Sequence, residues 1–225
     1  MDTRQAAGRR RRSQGGFGTM EALVASVLSL LVALAIMSFF DAQQRAYATL
    51  STYSESQNVT RTAIDLMSRE LRMASYDSLG TALTLSPGPT CPSVREGVVV
   101  AMPSYLQIKQ DLDNSGAIDA ANENVIYAQT GNRLVRTDVV QNQALTLVEG
   151  VPSNGFNLRY YAGTPSVEQV PAGTPAQLNQ GQRACVDKIS IEIDSQIADP
   201  YPGKPAVHSS VRSTVAIRNR AIITF

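Results

Sequence analysis

The longest feature of the hydrophobic pattern is an apolar run near the N-terminus. In residues 22–40 the only polar side chains are Ser26, Ser29 and Ser38. At a rise of 1.5 Å per residue, a helix of this length spans about 28 Å, close to the thickness of the hydrocarbon core of a membrane. The pattern therefore predicts a membrane-spanning helix.

The apolar run is followed by an amphipathic helical pattern. Residues at three- and four-residue spacing form one face, with Ser, Gln, Arg and Glu between them; they are Tyr53, Gln57, Thr60, Ile64, Met67, Leu71 and Ala74. Residues 19–79 contain no Gly or Pro, and Gly80 is the first residue that commonly ends a helix. We predict one helix of roughly 55 to 60 residues whose second half packs on a globular head.

Beyond residue 97 the pattern changes to short runs that are typical of β-strands. Such runs begin at Gly97, Tyr105, Asn124, Arg133, Ala144, Phe156, Val186 and Ser210. Residues 161–183 and 198–209 are rich in Pro, Gly or Gln and are predicted to be surface loops. Consecutive strands at this spacing predict an antiparallel, meander-like sheet. With the long helix on one face of the sheet, the fold is α+β.

Charge is unevenly placed along the chain. Of 20 basic and 19 acidic residues, five Arg and one Asp lie in residues 1–16. The cluster at residues 9–12 directly precedes the apolar run, and no comparable cluster follows it. The positive-inside rule therefore predicts a cytoplasmic N-terminus and an exported C-terminal head. The mildly acidic remainder does not indicate a nucleic-acid partner.

A carboxylate at the edge of the apolar run needs a partner. Glu21 occupies this place, and an unpaired carboxylate in hydrocarbon requires a cation or a proton. The segment GGFGTMEALVASVLSLLVALAI, which begins at Gly15, resembles the class III signal of type IV prepilins and type II secretion pseudopilins. The resemblance implies cleavage between Gly16 and Phe17 by a prepilin peptidase, N-methylation of Phe17, and pairing of Glu21 with the N-terminal amine of a neighbouring subunit.

Two further segments carry the same resemblance. SRELRMASY at residues 68–76 and VAIRN at residues 215–219 are similar to the helix end and last strand of PilW-type minor pilins and J-type pseudopilins. The implied organisation is a cleaved leader, a transmembrane or filament-core helix, its amphipathic continuation, and a periplasmic or extracellular β-rich head. These segments are residues 1–16, 17–40, 41–79 and 80–225.

The resemblance implies a minor pilin that primes assembly of a type IV pilus near its tip, in pilus biogenesis, motility or adhesion. Its implied partners are the prepilin peptidase, other minor pilins, the major pilin, the inner-membrane assembly platform, membrane lipid and a large tip adhesin. The chain would lie in the inner membrane before assembly and on the cell surface afterwards. Two alternatives are a tip pseudopilin of a type II secretion system and a membrane-anchored periplasmic binding or enzymatic domain.

Residues with catalytic chemistry are scarce. His208 is the one histidine, and it lies in a predicted Pro-rich loop; nucleophile, phosphate-binding and zinc motifs are absent from the sequence. Glu192 and Asp194 share a face of one predicted strand and are expected to be solvated. We therefore expect no enzymatic activity and no required cofactor.

The two cysteines, Cys91 and Cys185, both follow the apolar run. An exported head places them in an oxidising compartment, where they can form a disulfide. The alternative is a pair of buried thiols. No spacing typical of a metal site involves either of them.

A segment that begins at Lys109 resembles the first half of a calcium-binding loop. Oxygen-bearing positions at one, three, five, seven and nine, with Gly at six, can surround a hard cation; the candidate ligands are Asp111, Asp113, Ser115, the Ala117 carbonyl and Asp119. The twelfth place is Asn122, and Glu123 comes one residue late. A Ca²⁺ site and a turn that caps itself with Asx hydrogen bonds are both compatible with this sequence.

Overall fold

The computed structural model describes residues 18–80, 83, 97–163, 165–199, 201, 203 and 205–218. The chain divides into two compact units, Met1–Tyr47 and Ala48–Phe225. The elements in chain order are α1 Thr19–Met73, β1 Val98–Met102, β2 Tyr105–Lys109, β3 Asn124–Thr130, β4 Arg133–Asp138, β5 Gln143–Glu149, β6 Phe156–Ala162, β7 Val167–Gln169, α2 Gln180–Cys185, β8 Val186–Ile197 and β9 Val207–Ala216.

The first half of α1 belongs to the N-terminal unit. The helix begins at Thr19, where the Gly18 carbonyl accepts hydrogen bonds from the main-chain N–H groups of Glu21 and Ala22 at 3.0 and 3.1 Å. Residues 22–40 are exposed, and the helix is long and apolar enough to cross a membrane. The hydroxyls of its three serines each donate to a main-chain carbonyl three or four residues earlier.

The second half of α1 lies in the C-terminal unit and buries one face against the core. Its buried residues are Ser56, Thr60, Ala63, Ile64, Met67, Ser68 and Leu71. The predicted face is correct from Thr60 onward. At its start it is wrong, because Tyr53 is 37% exposed and Ser56 is buried instead. The Ser56 hydroxyl lies 2.7 Å from that of Ser195 on β8, so a small side chain allows close contact between helix and sheet.

The helix ends at Met73, before the predicted stop at Gly80. Ser75 has a φ of 68°, a left-handed conformation that turns the chain away from the helix axis. The Ser75 N–H then donates to the Lys109 carbonyl at 3.1 Å, and this bond joins the helix end to β2. Gly97 packs here without a side chain, since a Cβ at this position would lie 2.2 Å from the Ser75 nitrogen.

The strands form two antiparallel sheets instead of the single sheet that the sequence predicts. One sheet has the order β1-β2-β3-β4-β5, which is a meander, and the other has the order β7-β6-β8-β9. Main-chain hydrogen bonds join the sheets, including Leu158 N–H to Pro103 O at 2.7 Å and Gln196 N–H to Gly150 O at 2.7 Å. The α+β class and the long helix packed on antiparallel strands are confirmed.

The two predicted loops contain regular structure that the sequence analysis missed. Strand β7 lies in residues 161–183, helix α2 begins there at Gln180, and β9 begins at Val207, inside the second loop. Helix α2 starts with a capping box, in which the Asn179 side chain accepts from the Gln182 N–H and the Gln182 side chain accepts from the Asn179 N–H. His208 is therefore on strand β9 and not in a loop, 3.3 Å from the Gln196 amide nitrogen.

The core lies between the second half of α1 and the inner faces of the strands. Its largest fully buried side chains are Tyr127, Tyr160, Phe156, Met67, Leu71, Leu106, Ile108, Leu134, Leu178, Ile189, Ile191 and Ile193. The Tyr160 hydroxyl donates to the Met102 carbonyl at 2.7 Å, and burial raises the Tyr160 pKa, so the phenol stays protonated. A long apolar helix followed by antiparallel sheets fits a pilin-like architecture.

Candidate functional site

The first candidate site is the start of α1. Glu21 is exposed in the first helical turn, where a negative charge interacts favourably with the helix dipole. Within the part of the chain that the structure describes, it has no cation at salt-bridge distance. The predicted cleavage site, Gly16 and Phe17, lies outside the described residues, so both cleavage and pairing of Glu21 stay predictions.

A largely buried ion pair joins the second half of α1 to the sheet formed by β1 to β5. The Arg136 Nη2 atom on β4 donates to Glu70 Oε1 at 2.7 Å, and Arg136 Nε donates to the same oxygen at 3.0 Å. Side-chain exposures are 11% for Arg136 and 13% for Glu70. Such a pair is sensitive to loss of either partner because the charge that is left cannot be fully solvated.

Tyr127 on β3 completes this contact by donating its hydroxyl to Glu70 Oε2. Burial, together with the charge and hydrogen bond of Glu70, raises the Tyr127 pKa well above its ordinary value. The phenol therefore remains a donor throughout the physiological pH range. Tyr127 on β3 and Arg136 on β4 thus donate to the same carboxylate, that of Glu70, and this joins the helix to the sheet. No sequence pattern identifies this group, because its members are far apart in the chain.

The loop between β2 and β3 forms the second candidate site. Asp111, Asp113 and Glu123 each offer a carboxylate oxygen, and these three oxygens lie within 4.8 Å of one another. Spacing along the sequence predicts both aspartates as ligands, whereas Glu123 falls one place too late for the twelfth ligand of a calcium loop. The turn at Asn122, which has a φ of 65°, returns the chain so that Glu123 reaches the cluster.

Glu123 is fully buried and organises the loop through its two carboxylate oxygens. Oε1 accepts from the N–H groups of Leu112 at 2.8 Å and Asp113 at 3.3 Å, and Oε2 accepts from those of Asp119 at 3.0 Å and Ala120 at 2.8 Å. All four donors are main-chain N–H groups of the loop, so the loop folds around this one carboxylate.

Asp111 is also fully buried, but its two oxygens differ. Oδ2 accepts from the Gly116 N–H at 3.0 Å, whereas Oδ1 has no hydrogen-bond partner among the described residues. An unsatisfied buried polar group typically costs about 1–3 kcal/mol, and more when it is charged. The Asp111 carboxylate therefore calls for a proton, a water molecule or a cation at Oδ1.

The other predicted ligands are exposed at the rim of the loop. The Ser115 N–H donates to Asp113 Oδ1 at 2.9 Å, which is an Asx turn and lowers the Asp113 pKa. The Ala117 N–H lies 3.3 Å from Ser115 Oγ, and Asp119 is not a member of the carboxylate cluster. The Asx turn that the sequence left open as an alternative is present, alongside the cluster.

The loop is tied to the ion pair by Asn122. Arg136 Nη2 donates to Asn122 Oδ1 at 2.6 Å, and the Asn122 N–H donates to Asp138 Oδ2 at 2.7 Å. The side of the loop that leads into β3 is therefore fixed to the same arginine that holds α1. The loop and the helix contact therefore share one side chain, that of Arg136.

Cys185 ends α2 and is buried. Cys91 lies outside the described residues, and the disulfide between them stays a prediction. Glu192 and Asp194 are half-buried on β8, and Glu192 accepts from Arg212 Nη2 at 2.6 Å, a surface ion pair. No described geometry at these residues indicates catalysis.

The sequence matches no protein-family model, and no curated protein matches it.

Proposed function

We propose that this protein is a pilin-like subunit of a type IV pilus, made as a prepilin and anchored by the first half of α1. The observation that carries the proposal is an exposed apolar segment, residues 22–40, which directly follows one carboxylate, Glu21. A segment of this kind suits lipid before assembly and contact with other apolar helices afterwards. The subunit acts by assembly and performs no chemistry.

Glu21 would fix the axial position of this segment relative to the helix of a neighbouring subunit. In an apolar environment its carboxylate requires a cation, and the new N-terminal amine of a neighbouring subunit is a cation at the matching depth. The pair would form only when two helices align at one axial offset. A single charge pair can therefore select one packing from the many that an apolar surface allows.

The C-terminal unit supplies the surface that distinguishes this subunit from others. We propose a minor pilin that belongs to a priming complex near the pilus tip, where its edge strands and loops contact other minor pilins, the major pilin or a large tip adhesin. Strands β5 and β7 are sheet edges, and Leu145 and Val167 on them are 56% and 57% exposed. Exposed edges of this kind can pair with a neighbouring chain.

Processing of the precursor tests the proposal. Gly16→Val should block cleavage, because the resemblance implies a peptidase that accepts only a small side chain there, and Gly8→Val is the matched control in the same leader. Immunoblotting and N-terminal mass spectrometry should find residues 1–16 retained in Gly16→Val and removed in Gly8→Val and wild type. A mature N-terminus at Phe17 in Gly16→Val would contradict the prepilin assignment.

Cross-linking of purified filaments, followed by mass spectrometry, tests the position in the filament. Cross-links to other low-abundance pilins or to an adhesin are expected, with few to the bulk of the major subunit. Co-purification with a secretin-dependent secretion apparatus and not with pili would instead assign the chain to a type II pseudopilus.

A further inference from the structure

We propose that the β2–β3 loop binds one Ca²⁺ through Asp111, Asp113 and Glu123. The inference is independent of the pilin assignment, because it concerns the head alone and its test measures metal binding. The ligand set is not the one that sequence spacing predicts. Glu123 replaces Ser115, the Ala117 carbonyl and Asp119 as the residue that closes the site.

The three carboxylates approach one another closely enough to share an ion. One oxygen from each lies within 4.8 Å of the other two, and two oxygens bound to the same Ca²⁺ at 2.3–2.6 Å are separated by at most about 5 Å. Three like charges at this separation repel each other. A divalent cation between them would remove that repulsion.

The buried Oδ1 of Asp111 is a second observation that points to a ligand. Asp111 is 0% exposed, and this oxygen has no hydrogen-bond partner among the described residues, while Oδ2 is already held by the Gly116 N–H. The two Glu123 oxygens accept four main-chain hydrogen bonds, and coordination of a cation by this carboxylate would replace the longest of them, from the Asp113 N–H at 3.3 Å. Asp111 Oδ1 is thus an unpaired oxygen on a carboxylate that belongs to the three-residue cluster.

The chemistry of the donors favours Ca²⁺. All the ligand atoms in the cluster are carboxylate oxygens, which suit hard cations and not the softer zinc or copper ions. Asp113 is exposed on a turn, so the ligand sphere can adapt and can include water. Ca²⁺ accepts six to eight oxygens in irregular geometry, whereas Mg²⁺ requires a regular octahedron.

The site is placed to fix the end of α1. The Asp111 N–H donates to the Tyr76 carbonyl at 2.8 Å, and the Gln110 N–H donates to the Glu123 carbonyl at 2.9 Å. A cation held by Asp111 and Glu123 would cross-link the two sides of the loop beside the segment that follows the helix. Calcium would therefore stabilise the junction between α1 and the first sheet.

The test uses the full-length protein in detergent micelles, stripped of metal with a chelator. Isothermal titration with CaCl₂ should detect one site with a dissociation constant of about 10⁻⁴ to 10⁻³ M, typical of extracellular modules. Unfolding followed by circular dichroism should shift upward by about 3–10 °C in calcium at about 10 mM. Mg²⁺ at the same concentration should give a much smaller shift.

Asp113→Asn is the decisive variant, because Asp113 is exposed and its loss should not unfold the head. We expect the dissociation constant for calcium to rise at least about tenfold, because the cation loses one charged ligand. Asp111→Asn should abolish the calcium-dependent shift. Asp119→Asn is the matched control: it removes the same charge from the same loop outside the cluster, and should retain wild-type binding.

Three results would overturn the proposal. No calcium heat and no shift in wild type would mean that a proton or water satisfies Asp111 Oδ1, and Asp111→Asn would then melt at or above the wild-type temperature in every buffer. Equal losses in Asp113→Asn and Asp119→Asn would indicate diffuse attraction to an acidic surface. An Asp113→Asn variant that binds as wild type would remove Asp113 from the site.

Discussion

Arg136 of β4 donates two hydrogen bonds to the carboxylate of Glu70 of α1, and fewer than one-seventh of either side chain is exposed. The two residues are separated by 66 positions in the sequence. The pair therefore fixes the orientation of the second half of the helix on the sheet. Apolar contacts alone would define this orientation less sharply, because they are not directional.

Removing one member of this pair should destabilise the C-terminal unit strongly. Glu70→Ala leaves the Arg136 guanidinium and the Tyr127 hydroxyl without their acceptor, and we expect a loss of about 3–5 kcal/mol in the free energy of unfolding. Denaturant unfolding followed by circular dichroism measures the change.

The control is the surface pair of Arg212 and Glu192, whose side chains are 56% and 24% exposed and whose nitrogen and oxygen lie 2.6 Å apart. Arg212→Ala should cost less than about 1 kcal/mol, because an exposed pair is solvated when broken. The triple variant Glu70→Leu, Arg136→Met and Tyr127→Phe should recover much of the loss, because it removes the buried donors together with their acceptor. Equal effects of Glu70→Ala and Arg212→Ala would mean that the enclosed pair contributes no more than a surface pair.

Gly97→Ala should also destabilise the head, for a steric reason. The added Cβ would lie 2.2 Å from the Ser75 main-chain nitrogen, so either the turn after α1 or the start of β1 must move. We expect a loss of about 2–4 kcal/mol, comparable with severe overpacking. Thermal unfolding provides the measurement.

Gly181→Ala is the corresponding control. It lies in α2, where the nearest atom to a new Cβ is Asn179 Oδ1 at 3.5 Å, an ordinary contact. Because Ala favours helices, this variant should be neutral or slightly more stable. A Gly97→Ala protein as stable as Gly181→Ala would show that the approach to Ser75 relaxes without cost.

Glu21→Ala should leave membrane insertion intact and reduce incorporation into filaments. Removing a charge from an apolar helix does not oppose insertion, but the proposed partner amine would lose its anion. Immunoblots of membrane and sheared-filament fractions give both quantities. Asp41→Ala removes a carboxylate from the other end of the apolar run, where it contacts Arg45 at 2.5 Å, and should assemble normally. Equal incorporation of the two variants would contradict the pairing.

Cys91 and Cys185 should be joined in the exported protein. Reduction should slow migration on a denaturing gel and lower the stability of the head by about 2–5 kcal/mol, since the bridge closes a long loop. Alkylation before and after reduction measures the thiols directly. Cys91→Ser should make the Cys185 thiol reactive after denaturation without reductant. Two alkylated thiols in unreduced wild type would refute the bridge.

The strands with clear alternation were predictable from sequence, and the elements without it were not. Runs were predicted at the positions of eight of the nine strands in the described part of the chain, and β2, β3, β4 and β6 among them alternate between buried and more exposed positions. Strand β7 has only three residues and is defined by its pairing with β6, where Gln169 lies opposite Tyr160. This pairing is local, since Ala162 lies opposite Val167, but none of the three residues of β7 is buried, so the strand has no alternation to mark it.

The candidate cation site shows which ligands spacing along the chain can predict and which it cannot. Spacing along the chain identified Asp111 and Asp113, because ligands within one turn keep a regular interval. It could not identify Glu123 as the closing residue, because that depends on the left-handed turn at Asn122. The sequence likewise gave no reason to bury Ser56, whose contact with Ser195 depends on a strand 139 residues away.

The three serines in the apolar half of α1 affect what happens to its hydrogen bonds when the segment moves from lipid to a contact with other helices. Each hydroxyl already donates to the helix main chain, so its hydrogen bonds are the same in lipid and against another apolar helix. Moving the segment between these environments therefore exchanges only van der Waals contacts, apart from Glu21. Extraction from the bilayer and insertion among other helices would then be nearly isoenergetic for its polar groups, and the carboxylate alone would distinguish the two environments.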